Sequence, residues 1–193
     1  KKKETIYAGN SGTFGRLILS ALIKTNANVK IIGDKSLSKR DFYRIIEPLR
    51  KFGANIKSKN NCLPINIEGS KFLRPIKYIE KLGSAQCKSA VMIAALNTPG
   101  ITKIKAKKSR NHTELFFKFL KIPILVKKKK IFDEIHVEGL KQFKNFEYNI
   151  PGDISSASFF IVLTILSENS QLLIKNVNLN VTRLGIINIL KMM

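Results

Sequence analysis

An internal repeat of about seventy residues constrains the fold of this chain more than any other feature of its sequence. Three segments each begin with glycine and small hydroxyl residues and continue into a mostly apolar run. Anchored on Gly12, Gly83 and Gly152, the segments lie 71 and 69 residues apart. Each one predicts a polar loop that enters a buried helix. The chain is therefore predicted to contain nearly three copies of one supersecondary unit.

A second motif repeats with the same period. In it a short apolar strand runs into a polar turn that carries one arginine, and then into an amphipathic helix. The arginines are Arg40, Arg110 and Arg183, spaced 70 and 73 residues apart. The strands are predicted at residues 29–32, 101–104 and 172–174. The helix after Arg40 is predicted to run through Phe52, because Gly53 is a typical C-terminal stop.

Alternating apolar and polar residues between these motifs predict further strands with one polar face, at residues 55–57 and 64–68. The unit is therefore expected to be a helix, a strand, a helix and two strands. One helix of the unit is apolar enough to be buried fully, and the other is apolar on one face. This pattern predicts an α/β fold in which sheets pack around central helices. Such a domain is layered and barrel-like, unlike an open, doubly wound sheet.

Positive charge dominates the polar residues of the chain. Lys and Arg total 35 against 13 Asp and Glu, a formal net charge of +22, which raises the question of nucleic-acid binding. Most of the basic residues are lysines spread along the chain. The densest run, residues 127–130, lies between apolar residues as a strand-to-strand turn does. No nucleic-acid recognition motif accompanies them, so a solvated lysine surface is the favoured interpretation.

Several function classes lack the sequence features that they need. No apolar run reaches the roughly 18 residues of a membrane span. Cys62 and Cys87 do not make a disulfide framework. The two histidines and two cysteines lie too far apart to predict a metal site. No relay partner accompanies Cys87, which favours a buried apolar role, and a lone His112 near a helix start favours a structural one.

The arginines, unlike the lysines, concentrate at the repeated motifs. Four of the seven are Arg16, Arg40, Arg110 and Arg183. A helix start offers free backbone N–H groups and the positive end of the helix dipole. Arginine binds carboxylate or phosphate through two parallel hydrogen bonds. The sequence therefore predicts a pocket for small anionic molecules.

The small residues of the same motifs also suit plain structural roles, and the sequence alone leaves both interpretations open. Gly12 and Gly15 permit a tight turn or close helix packing. Ser11, Ser84 and Asp153 are residue types common at helix N-caps.

Six segments, taken in order, resemble the signature of an enzyme family. They are residues 9–13, 33–40, 84–90, 109–114, 151–157 and 180–183. In sequence and spacing they are similar to the 3-phosphoshikimate 1-carboxyvinyltransferase (EPSP synthase) family, from residue 8 to the C-terminus. The resemblance implies an inside-out α/β barrel of repeated βαβαββ units in two lobes. It makes residues 1–150 the substrate-binding lobe and residues 151–193 the start of a third repeat that crosses towards the second lobe.

The resemblance also implies an activity. In this family the enolpyruvyl group of phosphoenolpyruvate is transferred to the 5-hydroxyl of shikimate 3-phosphate and phosphate is released, through a tetrahedral intermediate and without a metal or an organic cofactor. Both substrates are polyanions, in agreement with the anion pocket predicted from the helix starts and the arginines. A cytoplasmic monomer with no nucleic-acid or membrane partner is expected.

The family motifs assign expected roles to individual residues. Phosphoenolpyruvate is expected to contact Gly12, Arg40 and Gln86. Shikimate 3-phosphate is expected to contact Ser84, Ala85, Gln86 and Arg110, with Ser84 and Arg110 at its phosphate. Supporting roles fall to Asn10, Thr13 and Arg16 in the loop around Gly12, and to Asp153 near the hinge between the lobes.

The chain departs from the family pattern at both ends. The N-terminal Lys-Ser-Arg motif of the family is expected before residue 1, and its catalytic Asp, Glu and Lys after residue 193. The chain is thus expected to be a fragment that contains no catalytic residue and is inactive alone. Two other readings remain: a UDP-N-acetylglucosamine enolpyruvyl transferase, which needs a cysteine loop that neither Cys62 nor Cys87 provides, and a basic nucleic-acid binder without enzymatic activity.

Overall fold

The computed structural model describes residues 2–141 and 144–193. In the first copy of the repeat, the elements are β1 (Lys3–Tyr7), α1 (Gly12–Ala21), β2 (Asn28–Ile32), α2 (Tyr43–Phe52), β3 (Asn55–Lys59) and β4 (Cys62–Glu68). The unit predicted from the sequence is confirmed with one addition, because a strand precedes the first helix. Helix α2 ends as predicted: Gly53 follows it in the left-handed region, with φ of +109°.

The second copy repeats the same order. Its elements are β5 (Lys77–Glu80), α3 (Ala85–Leu96), β6 (Ile101–Lys107), α4 (His112–Phe119), β7 (Ile124–Lys128) and β8 (Phe132–Glu138). Both copies are therefore βαβαββ units. The lysine run at residues 127–130 joins two strands as predicted, although its first two residues belong to β7.

Each copy forms a mixed sheet of four strands. The strand orders are β1-β2-β4-β3 and β5-β6-β8-β7, which are equivalent. The first two strands of each order run parallel and the other neighbours run antiparallel. Parallel neighbours end at the same edge of a sheet. The loops that follow β1 and β2 therefore lie side by side, and the Asp34 N–H donates to the Gly9 carbonyl at 2.9 Å.

The core of these two copies lies between the sheets and the helices. Helix α3 is mostly buried, and Ala90, Val91 and Met92 are fully buried. Helix α1 is instead amphipathic, so the prediction that it is buried fully is wrong. Its two glycines and Leu19 face inwards while Phe14 stays 42% exposed.

The third copy is present in part. It contains α5 (Ile154–Leu166), a 3-10 turn at Val181–Arg183 and α6 (Gly185–Leu190). A single parallel bridge joins Gly152 to Val177 directly before α5, and the first two strands of the other copies also pair in parallel. The strand predicted at residues 172–174 is wrong. The equivalent strands β2 and β6 each have a neighbouring strand on both sides, whereas residues 172–174 have none within the described chain.

Helix α5 also differs from the buried helix that its sequence predicts. Only Ile154 and Ala157 are buried, and Phe159 is 78% exposed. Within the described residues, α5 lacks neighbours that cover its other faces. An apolar sequence therefore predicted the helix correctly but not its burial.

The described chain divides into two compact units. One contains both complete copies, from β1 to β8, except for Arg110–His112. The other contains Arg110–His112 and Lys144–Met193. The predicted lobe boundary at residue 150 stays a prediction.

Candidate functional site

The start of α1 is a tight polar turn built on Ser11. The Ser11 hydroxyl accepts the Phe14 N–H at 3.1 Å, so this serine is the helix N-cap that its residue type predicts. The next residue, Gly12, is buried. This turn places the N-terminal end of α1, with its partial positive charge, at the edge where β1 and β2 end.

The turn after β2 brings a first guanidinium group to this helix start. Asp34 accepts the Leu37 N–H at 2.7 Å and stabilises the 3-10 turn at Leu37–Lys39, which Arg40 follows. Arg40 then donates from Nη2 to Oδ1 of Asn10 at 3.0 Å. This contact brings Arg40 to the loop that contains Gly12, and the expectation that both bind phosphoenolpyruvate stays a prediction.

A second guanidinium group comes from α1 itself. Arg16 donates from Nη1 to Oε1 of Gln86 at 2.8 Å, and Gln86 donates from Nε2 to the Thr13 hydroxyl at 2.7 Å. The Arg16 guanidinium also lies 5.2 Å from the ring centroid of Phe42. These contacts join the starts of α1 and α3, so the first and second copies meet at one polar cluster. The cluster comprises Asn10, Gly12, Thr13, Arg16, Arg40 and Gln86.

Glycine at position 12 lets both arginines approach. A Cβ added there would lie 3.0 Å from Nη1 of Arg16 and 3.1 Å from Nη1 of Arg40, which is tighter than ordinary contact. Among the described residues, the two guanidinium groups donate to the side-chain amide oxygens of Gln86 and Asn10 and not to carboxylates. The cluster therefore carries excess positive charge at a helix start, an arrangement that favours an anion.

The start of α3 is also capped by a serine. The Ser84 hydroxyl accepts the Cys87 N–H at 3.3 Å, and Ala85 is the first helical residue. The loop before it is held by Glu80, a buried carboxylate that accepts the N–H groups of three residues, Leu82, Gly83 and Ser84. Sequence reasoning did not single out Glu80, because its partners are backbone groups and the distant Arg44.

A buried ion pair lies one turn further along α3. Nζ of Lys88 is 2.5 Å from Oε1 of Glu114 in α4, and their side chains are 2% and 6% exposed. Beside it, the hydroxyls of Ser89 and Thr113 are 2.6 Å apart. Sequence reasoning missed this pair too. One lysine in an otherwise apolar helix was the available signal, since lysine is almost never buried without a partner.

The second unit contains its own cluster of predicted residues. Arg183 donates from Nη2 to Oδ1 of Asp153 at 3.0 Å and also to the Ser155 hydroxyl. The backbone N–H of Ser155 and the Arg183 guanidinium together hold the pKa of Asp153 below its usual value. Arg110 and Arg183 line one cavity of about 350 Å³ in this unit, together with hydroxyl groups of residues 155, 158 and 182.

The residues beside Arg110 are also held in place. The Asn180 side chain donates to Oδ1 of Asn111 at 2.9 Å and lies 3.3 Å from Nδ1 of His112. The structural role expected of His112 stays a prediction. The expectation that Ser84 and Arg110 bind the same phosphate stays a prediction.

The remaining features concern metal ligands, membrane spans and cysteines in residues 2–141 and 144–193. These residues hold no group of three or more His, Cys, Asp or Glu arranged for a metal ion. No helix within them is long and apolar enough to cross a membrane. Cys87 is 4% exposed inside α3, which confirms the expected apolar role, and both cysteines are free thiols.

Fold and site together define a class of protein: an α/β protein of repeated βαβαββ units in which the starts of α1 and α3 meet at a polar cluster with two arginines. Comparison with known proteins narrows the class. The sequence pattern of EPSP synthase (3-phosphoshikimate 1-carboxyvinyltransferase) matches residues 1–193. The chain belongs to the EPSP synthase family.

Individual relatives agree with this assignment. The chain is 43% identical to the 3-phosphoshikimate 1-carboxyvinyltransferase of Petrotoga mobilis and 41% identical to that of Caldicellulosiruptor saccharolyticus, over 97% and 99% of its length. It covers 44% and 45% of those relatives. A crystal structure of EPSP synthase from Acinetobacter baumannii, 35% identical, superposes with a TM-score of 0.84 over 98% of this chain and 42% of that one. The predicted fold class is confirmed.

Proposed function

We propose that the full-length protein containing this chain transfers the enolpyruvyl group of phosphoenolpyruvate to the 5-hydroxyl of shikimate 3-phosphate. The products are 5-enolpyruvylshikimate 3-phosphate and phosphate. One observation carries the proposal beyond family membership. Two guanidinium groups, those of Arg16 and Arg40, meet at the start of α1 and donate to neutral amide oxygens, so positive charge remains for an anionic substrate.

The proposed roles follow the geometry of the cluster. Phosphoenolpyruvate contacts Gly12, Arg40 and Gln86, with the Arg40 guanidinium paired to its acidic groups. Asn10, Thr13 and Arg16 hold Arg40 and Gln86 in place through the hydrogen bonds described above. Each charged hydrogen bond of this kind is worth roughly 1.5–3 kcal/mol.

Shikimate 3-phosphate contacts Ser84, Ala85, Gln86 and Arg110, with its phosphate at Ser84 and Arg110. Gln86 is then shared by the two substrates, which brings the 5-hydroxyl of one close to the enol carbon of the other. Asp153 acts at the hinge between the lobes, where its pairing with Arg183 fixes the start of α5.

The reaction requires addition and then elimination. The 5-hydroxyl loses its proton as its oxygen forms a bond to C2 of phosphoenolpyruvate, and the C2–C3 double bond becomes a single bond as C3 gains a proton, which gives a tetrahedral intermediate. The bond from C2 to the phosphate oxygen then breaks as C3 loses a proton. The residues of this chain bind and orient the two anions, and the groups that move protons belong to the part of the family sequence that lies beyond residue 193.

The remaining expectations extend the proposal. The full-length protein is a cytoplasmic monomer that acts without a cofactor and binds neither nucleic acid nor membrane. Residues 1–150 form most of its substrate-binding lobe, and residues 151–193 begin the third repeat. Its many lysines form a solvated surface.

The test is a phosphate-release assay on the full-length protein. Release is expected only when both substrates are present. The Gln86→Ala variant is expected to lower kcat/KM by about ten-fold or more, because it removes contacts to both substrates. Gln171→Ala is the matched control, since Gln171 is exposed and lies far along the chain from the cluster. Absence of phosphate release by a folded wild-type protein would contradict the proposal.

A further inference from the structure

Glu80 is a buried carboxylate at the end of β5, and the proposed chemistry does not use it directly. Its side chain is 1% exposed. Oε2 accepts the N–H of Gly83 at 2.6 Å and of Ser84 at 3.0 Å, and Oε1 accepts the N–H of Leu82 at 3.2 Å. Three consecutive N–H groups of the loop before α3 thus point at one side chain.

The charge of this carboxylate is balanced from the first copy of the repeat. Arg44, in the first turn of α2, donates from Nη2 to Oε1 of Glu80 at 2.6 Å. A buried carboxylate is stable only when it has a cation and hydrogen-bond donors around it. The two oxygens of Glu80 thus accept four hydrogen bonds, three from the loop before α3 and one from Arg44. A carboxylate has about four acceptor sites, so all of them are occupied.

The loop that Glu80 holds has little freedom. Gly83 has φ of +73°, and a Cβ there would lie 3.2 Å from the backbone oxygen of Lys108. Below the loop, β5 is anchored to β6 through the pairing of Glu80 with Ala106. Ser84 emerges from this loop directly into the N-cap position of α3.

The equivalent loop of the first copy is closed differently. There the Ser11 N–H donates to the Ala8 carbonyl at 3.0 Å, and Tyr7 ends the strand. A main-chain carbonyl thus accepts the Ser11 N–H, whereas the carboxylate of Glu80 accepts the equivalent N–H of Ser84. The repeat fold therefore does not require a carboxylate at this position. Glu80 instead meets a need that is specific to the second copy.

We propose that Glu80 is a positioning residue for the shikimate 3-phosphate site, acting through Ser84. This inference rests on the proposed function. The Ser84 oxygen accepts the Cys87 N–H, so its own hydroxyl proton is available to a phosphate oxygen. Glu80 fixes the backbone from which that hydroxyl projects, and it occupies the Ser84 N–H. The phosphate is left with the Ser84 hydroxyl and the later N–H groups of the first turn of α3.

The experiment uses the full-length protein with Glu80→Ala, Ser84→Ala and the double variant. We expect Glu80→Ala to raise KM for shikimate 3-phosphate by about ten-fold, the effect of one lost charged hydrogen bond, and KM for phosphoenolpyruvate by less than about three-fold. In the Ser84→Ala background, Glu80→Ala is expected to add less than about three-fold, because a residue that acts through Ser84 has nothing left to position.

Further variants separate positioning from stability. Glu80→Gln keeps the size of the side chain but places an NH₂ group where two N–H donors converge, so it is expected to raise the same KM and serves if Glu80→Ala fails to fold. Glu134→Gln is the matched control, because Glu134 pairs with Lys129 on the exposed side of β8. It is expected to change neither KM.

Two results would overturn the inference. One is an unchanged KM for shikimate 3-phosphate in folded Glu80 variants. The other is a KM in the double variant that is raised by the product of the two single-variant factors. Calorimetric titration with shikimate 3-phosphate gives the same comparison from Kd, without turnover. A wild-type protein that binds this ligand but releases no phosphate would therefore count against the proposed function alone, and the Kd values would still decide the role of Glu80.

Discussion

In the first and second copies of the repeat, the residues four and five positions after the N-cap of the first helix pack against the start of the second helix. The residue types that make this contact differ between the two copies. In α1 these positions are Gly15 and Arg16, and both approach the ring of Phe42. In α3 they are Lys88 and Ser89, which pair with Glu114 and Thr113 of α4. The repeat fold thus requires a contact at this point and does not specify its kind.

The difference separates what the fold needs from what the site needs. The second copy buries its charges in an ion pair, where they stabilise the packing of α3 on α4. The first copy fills the space with a glycine and an aromatic ring and leaves the Arg16 guanidinium half-buried beside Arg40. Mutation of Lys88 should therefore act mainly on stability, and mutation of Gly12, beside the Arg16 and Arg40 guanidinium groups, mainly on ligand binding.

The largest effect is expected from breaking the buried pair. Lys88→Met leaves the Glu114 carboxylate buried without this cation and is expected to lower the free energy of unfolding by about 3–5 kcal/mol in urea denaturation. Adding Glu114→Met should recover most of that loss, since two apolar side chains need no compensation. Lys51→Met, which breaks the exposed pair with Glu47, is the control and should cost less than about 1 kcal/mol. Equal losses of unfolding free energy in Lys88→Met and Lys51→Met would contradict this view.

The second prediction concerns Gly12. A methyl group there would displace the Arg16 and Arg40 side chains, since it would lie about 3 Å from both guanidinium groups. Gly12→Ala is expected to raise KM for phosphoenolpyruvate by about ten-fold, equivalent to roughly 1.4 kcal/mol, with little change in stability. Steady-state kinetics on the full-length protein measures this. An unchanged KM would place phosphoenolpyruvate elsewhere.

Gly15→Ala, in the same helix, sharpens the comparison. A Cβ at this position would lie 3.5 Å from the Phe42 ring and 3.8 Å from Ala8, which is ordinary contact. Alanine is the better helix former, so the variant is expected to raise the free energy of unfolding by about 0.5–1 kcal/mol and to leave both KM values unchanged. A loss of stability would show that the space beside Phe42 is tighter than the structure indicates.

The smallest effect is expected in the third copy, on acidification. Because the folded state lowers the pKa of Asp153, the carboxylate contributes stability above its unfolded pKa and loses it as pH falls through the lower folded pKa. Asp153→Asn should therefore lower the melting temperature at about pH 7 and have less effect at about pH 3. A difference from wild type that stays constant over this range would contradict the assignment.

The sequence predicted those parts of the molecule that depend on local pattern. The repeat follows from residue types that recur with a period of about seventy residues, and the capping serines Ser11 and Ser84 follow from the residue types at the helix starts. Residue pairs distant in sequence could not be predicted in this way, since Glu80 with Arg44 and Lys88 with Glu114 depend on how helices pack. The strand expected at residues 172–174 failed because a strand needs neighbours, which hydropathy alone does not supply.

The most direct test of the account is a calorimetric titration of shikimate 3-phosphate into the full-length protein at fixed salt, with wild type, Ser84→Ala and Arg110→Ala. The account predicts saturable binding at one site, weakened by about ten-fold or more in each variant, because each removes a donor to the same phosphate. Equal affinity in all three proteins would contradict it, since the phosphate would then lie away from the start of α3.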